Sequence, residues 1–177
     1  MVNVSDVKNG LRRNGRRIQQ RYFAGDDRPI LAYSVVLGGY TALVGLVGVI
    51  GRARGVQLPA RFSVQDTVLL GLATHKASRL IAKESVTSPL RAPFTNYEGP
   101  TGAAEVNESA RGHGIQHSIG ELITCPFCLG VWIATALTAG LVFAPKVTRL
   151  ANTTLTAIAV SDLTQLLYDG AKQKDTD

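Results

Sequence analysis

The chain has 177 residues, 45% of them hydrophobic and only 6% aromatic, and carries a formal net charge of +6. That length suits one domain, and an aliphatic composition with 18 glycines is the composition of closely packed helices in a bilayer rather than of a soluble core built on bulky side chains. Two cysteines exclude a disulfide framework, and basic residues gathered beside an apolar run, with little aromatic interleaving, argue against a nucleic-acid partner.

Residues 1–29 read as a basic cytoplasmic arm: Lys8, Arg12, Arg13, Arg16, Arg17, Arg21 and Arg28 precede the first apolar run, and no apolar periodicity is sustained. The paired arginines do not make an export signal, because the following apolar run is long and lacks a small-x-small cleavage site, so the first span is expected to stay attached. Residues 30–50 are 21 residues without a charge. As a helix they would extend about 31 Å, which matches a hydrocarbon core of roughly 30 Å. Gly38, Ala42, Gly45 and Val49 recur on one face as a packing seam.

A short loop with Arg52, Arg54 and Arg61 leads to residues 64–82, the second predicted span. Asp66 lies near one end of it and His75, Lys76 and Arg79 toward the other, where long side chains can snorkel to the headgroups; a helix lying in the interface is the rival reading. Residues 83–124 predict a long polar loop, interrupted by Pro89, Pro93 and Pro100 and made acidic and mobile by Glu98, Glu105 and Glu108. Residues 125–144 are the third span, with a small-residue face of Gly130, Ala134 and Thr138 and with Trp132 suited to the headgroup boundary. Residues 150–168 form a fourth apolar stretch whose Asn152, Thr156, Ser161 and Asp162 require protein neighbours, and residues 169–177 are a short polar tail.

The expected fold is therefore an all-α membrane protein with four transmembrane helices, a membrane domain over 30–168, and both termini in the cytoplasm. The arm's seven basic residues set that orientation against three in the 51–63 loop and two in the 145–149 turn. The long loop between helices 2 and 3 is then cytoplasmic. Were only the first and third segments to cross, that loop would face outward.

Three groups of residues are candidates for chemistry. Cys125-Pro126-Phe127-Cys128 stands at a helix amino terminus, where the dipole favours a thiolate suited to redox or metal chemistry; a structural pair is the plain alternative. His113 and His117 precede those cysteines with spacing His-x3-His-x7-Cys-x2-Cys, four ligands of the kind that complete tetrahedral zinc, against solvated loop histidines. Lys76, Arg79, Lys83 and Arg91 form a basic cluster that either anchors the second span or holds an anionic lipid headgroup or phosphate. Apart from zinc at the first two groups, no cofactor is expected.

The string Thr74-His75-Lys76-Ala77-Ser78-Arg79-Leu80-Ile81-Ala82, followed by Gly120-Glu121-Leu122-Ile123-Thr124-Cys125-Pro126-Phe127-Cys128-Leu129-Gly130-Val131-Trp132, resembles the domain of unknown function 1360 family, small bacterial multi-pass membrane proteins. The resemblance covers roughly residues 64–145, and Glu84 stands where many relatives would carry an aspartate. It implies a cell-membrane location with no established activity, and an association of some relatives with sporulating Gram-positive bacteria. The expected role is non-enzymatic, a scaffold or assembly component whose partners are the lipid bilayer, an anionic lipid, and a second copy or another membrane protein. A thiol or zinc protein and a lipid- or solute-handling protein are the competing classes.

Overall fold

The computed structural model describes residues 9–10, 30–102 and 104–174. The basic arm lies almost wholly outside the described residues, as do the last three residues of the tail. Helix α1 (Ile30–Ala53) is followed by α2 (Val64–Ala82), a 3-10 turn (Ser85–Thr87), the one-turn α3 (Ser88–Arg91), strands β1 (Thr95–Gly102) and β2 (Glu105–Ala110), then α4 (Ile115–Thr124), α5 (Pro126–Phe143) and α6 (Pro145–Lys174).

The ends of these helices follow local chemistry. Ser63 caps α2 by accepting the Asp66 N–H at 2.9 Å, and Cys125 caps α5 by accepting the Cys128 N–H at its sulfur, 3.2 Å away, with Pro126 at the first position. Pro145 separates α5 from α6 and lies in the first turn of α6, where a missing N–H is harmless.

Among the described residues, α1 and α5 are the two helices long and apolar enough to cross a membrane, and little of either is covered by protein. They point to membrane association. The other two long helices, α2 and α6, do not pass that test, so the expectation of four spans is corrected to two candidate spans among the described residues.

That packing has a definite polarity. Along α1 and α5, the Tyr40 hydroxyl lies 2.8 Å from that of Thr135, and a Cβ on Gly51 would stand 3.2 Å from the Phe143 ring, so the two helices run parallel. Between α2 and α6, Asp66 meets Arg149 at 2.9 Å, Leu69 O accepts from Thr156 at 3.0 Å, and Lys76 meets Asp162 at 2.8 Å, so these two are parallel as well. Helices α5 and α6 turn back on each other at Ala144, where a Cβ on Gly140 would fall 2.6 Å from the Thr148 hydroxyl. The bundle is thus one parallel pair set against another running the opposite way.

The all-α expectation is corrected by residues 83–124, which are structured rather than a loop. β1 and β2 pair antiparallel from Thr95↔Ala110 to Gly102↔Glu105, with register irregularities beside Gly99 and Pro100. The hairpin is tied back to the end of α2 by Ser85 N–H to Ala104 O (2.9 Å) and Val106 N–H to Lys83 O (2.9 Å). Few apolar side chains back it, so charge supplies the hold. Arg91 is 0% exposed and donates to both Glu108 oxygens (2.7 and 3.0 Å), to Ile81 O (2.6 Å), to Glu84 O (3.1 Å) and to the Thr87 and Ser88 hydroxyls. It therefore closes the carbonyl end of α2 and the hairpin with one side chain.

Burial pushes the Glu108 carboxyl upward, but hydrogen bonds from Arg91, Thr95 and Ser88 outweigh it and hold the group below its ordinary range. A depressed folded value means that the stabilisation is complete above the ordinary glutamate range and is lost as pH falls through the folded value. Thermal unfolding of the purified protein should show this acid loss. Arg91→Ala, which strands a buried carboxylate, should cost about 3–5 kcal/mol. Arg79→Ala removes a pair whose arginine is substantially exposed and should cost no more than about 1 kcal/mol. Equal losses from the two substitutions would contradict this account of the hairpin.

Candidate functional site

The sequence-predicted groups converge on one end of the bundle, where α2 ends, the hairpin sits, and α4 breaks into α5. The break falls at Cys125, which is extended, and Pro126; within α4 a Cβ on Gly120 would lie 2.4 Å from Phe94 O and about 3.0 Å from Ala110, so α4 packs directly on the hairpin backbone. Residue 120 must be glycine for that approach.

The basic cluster is brought together with its own counter-ions. Lys76 is buried and paired with Glu84 and with Asp162 of α6; Arg79 forks onto Glu105 at 2.6 and 2.7 Å; Arg91 is held by Glu108. Lys83 contributes backbone bonds, to Arg79 O and from Val106 N–H. Glu84 lies eight residues from Lys76, whereas Glu105, Glu108 and Asp162 lie 17 to 86 residues from their partners, by the pairs Arg91–Glu108 and Lys76–Asp162, beyond the reach of a local pattern.

The four suggested zinc ligands are placed differently from one another. Cys125 and Cys128 share the first turn of α5, half-buried and exposed respectively, and both are free thiols. His117 lies on α4, its Nε2 3.6 Å from Glu121, whereas His113 is exposed before the helix, between Gly112 and Gly114, both at positive φ. Among the described residues no three His, Cys, Asp or Glu side chains form a set that could hold a metal ion.

A feature not read from the sequence lies beside the cysteines. A groove of about 670 Å³ runs between α1 and the α4–α5 junction. Val36, Leu37, Val131 and an edge-to-face pair of Tyr40 and Trp132, ring centres 5.1 Å apart, form its body. Its head holds Cys125, Cys128, Ser118 and Glu121, whose carboxylate accepts the Tyr33 hydroxyl at 2.5 Å. Tyr33 and Glu121 are 88 residues apart, and no local pattern joins them.

Comparison with known proteins gives a family. The profile described as "Protein of unknown function (DUF1360)" matches residues 69–168, from the middle of α2 to near the end of α6, and so takes in the whole hairpin module. The chain is 36% identical over 70 residues to the protein named "Sporulation protein YjcA" of Bacillus subtilis (strain 168), an alignment covering 38% of this chain and 59% of that relative. No solved structure matches.

The packing at Gly120 gives a test of the junction. Gly120→Ala should lower thermal stability by about 1–3 kcal/mol through overpacking, whereas Gly130→Ala, whose Cβ would meet Thr74 at an ordinary 3.8 Å, should be neutral or slightly stabilising. A neutral Gly120→Ala would show that α4 does not bear on the hairpin.

Proposed function

The chain belongs to the DUF1360 family of unknown function, and from that premise we propose that it is a non-enzymatic, four-pass component of the bacterial cell membrane that presents the hairpin module as an assembly platform on the cytoplasmic face. The observation that carries this reading is the parallel course of α1 and α5. Two parallel helices can both cross a bilayer only if the chain returns between them, and α2, 19 residues or about 28 Å of helix, runs the required way. Helix α6, parallel to α2, then makes the fourth crossing.

The charges of α2 are compatible with that course because each acidic or basic group facing α6 has a partner: Asp66 with Arg149 at one level, Lys76 with Asp162 and Glu84 at another. The basic arm favours a cytoplasmic amino terminus, which puts the hairpin module and the carboxyl end on the same side. There the ion pairs around Arg79 and Arg91 serve to anchor and stiffen the module rather than to bind an anionic headgroup. The name of the Bacillus subtilis relative puts sporulation forward as a process such a component would serve.

A second reading, a membrane thiol or zinc protein, draws on Cys125 and Cys128 facing one groove from a single helical turn. In the zinc version His113 and His117 would have to approach them. Replacing both cysteines by serine separates the readings. A platform should keep its abundance and its cross-linked partners, and lose the partners on Tyr97→Ala, whose ring stands 66% exposed on β1. Loss of bound zinc or of a reducible disulfide from the purified protein, with partners indifferent to Tyr97, would transfer the function to the thiols.

Topology is checked separately in the double-serine protein carrying one new cysteine. Gln57→Cys should react with a membrane-impermeant maleimide in intact cells, and Asn107→Cys only after permeabilisation. Reaction of Asn107→Cys in intact cells would place the hairpin outside and defeat the four-pass reading.

A further inference from the structure

The groove between α1 and the α4–α5 junction has a charge character that identifies its occupant. Of the twelve residues lining it, Glu121 is the one that carries a formal charge; the rest are aliphatic, aromatic, hydroxyl or thiol. Among the described residues Glu84, Glu105, Glu108 and Asp162 at this end of the bundle are each matched by lysine or arginine, whereas Glu121 is met by the Tyr33 hydroxyl and, at 3.6 Å, by His117. The last turn of α4, which holds Glu121, contains no basic residue. A carboxylate so placed calls for a cation.

A second polar group at the same head lacks a partner. Ser118, one turn before Glu121 and 2% exposed, lines the groove and has a hydroxyl with no hydrogen bond. A buried unpaired hydroxyl is costly, and a donor entering beside Glu121 is the kind of partner it lacks. Behind these polar groups the groove is apolar, with the Tyr40 and Trp132 rings able to face a cation or an alkyl chain. Its volume of about 670 Å³ falls within the range of small-molecule sites.

We propose that this groove binds an amphiphile with a primary ammonium head, the ammonium held by Glu121, Ser118 and the Tyr33 oxygen and the alkyl body lying along Val36, Leu37 and Trp132. The same chemistry is offered by an aminophospholipid of the bilayer and by a free long-chain amine. An anionic amphiphile is rejected by the carboxylate. The site depends on the α1–α4–α5 junction and not on how many helices cross the membrane.

Trp132 is the single tryptophan of the chain and lines the groove, so its fluorescence reports occupancy directly. The full chain reconstituted in phosphatidylcholine nanodiscs is titrated with dodecylamine, dodecanol and dodecyl phosphate. Dodecylamine should shift Trp132 emission saturably, with the other two at least roughly tenfold weaker, and Glu121→Gln should weaken the amine by a similar factor while leaving the melting temperature unchanged. Adding phosphatidylethanolamine to the discs distinguishes the sources: competition with dodecylamine assigns the groove to the lipid headgroup, and undiminished amine binding assigns it to a free amine. Equal binding of dodecanol, or an unaltered affinity in Glu121→Gln, would overturn the proposal. Should Glu121→Gln fail to fold, the ranking of the three heads on the unaltered protein decides it.

Discussion

Two apolar helices that run the same way impose a constraint on everything between them. Helix α1 meets α5 with Tyr40 beside Thr135 and Gly51 beside Phe143, so the chain from Ala53 to Pro126 has to travel back along the bundle before α5 can begin. Helix α2 makes that journey despite Asp66, Lys76 and Arg79, and the structure around it is organised to make those charges tolerable. Helix α6 lies parallel to α2 and brings Arg149 and Asp162 to the matching levels. A lone carboxylate or ammonium in the same seam would carry a desolvation cost with no return.

The same logic governs the module that follows. Between Ala82 and Ile115 the chain has little apolar surface to bury, and a two-stranded hairpin is marginal by itself in water. Arg91 resolves this by spending its whole guanidinium inside the protein, on the α2 carbonyl end, the 3-10 turn and Glu108. Thr95 and Ser88 add donors to the same carboxylate, so the pair is satisfied on both sides. The module is held at a fixed place relative to the helices. Gly120 then lets α4 lie against the hairpin backbone and sets where the groove head opens beside α1.

How much of this was legible depended on the range of the interaction. The apolar runs of α1 and α5 announce themselves because hydropathy is a local property, and the predicted bounds 64–82 coincide with those of α2. α6 extends beyond the predicted 150–168 at both ends, since Pro145 lies in its first turn and the helix continues through polar residues to Lys174. The hairpin was read as a mobile loop because β1 contains Gly99, Pro100 and Gly102 and shows no clean alternation; its order comes from ion pairs that no periodicity encodes. In the sequence Arg91 stands as an anchoring or anion-binding cation and Glu108 as loop acidity, and only their juxtaposition gives either its place. The groove was illegible for the same reason, since Tyr33 and Glu121 belong to segments with nothing local in common.

The account rests most heavily on the parallel course of α1 and α5, and that is accessible to one cross-linking measurement in the native membrane. In a background of serine at 125 and 128, Gly51→Cys is paired either with Phe143→Cys or with Phe127→Cys and treated with a short bis-maleimide. Efficient internal cross-linking of the 51–143 pair and none of the 51–127 pair is the predicted result. The reverse pattern would make α1 and α5 antiparallel, remove the need for a return crossing through α2, and contradict the four-pass arrangement on which the platform reading depends.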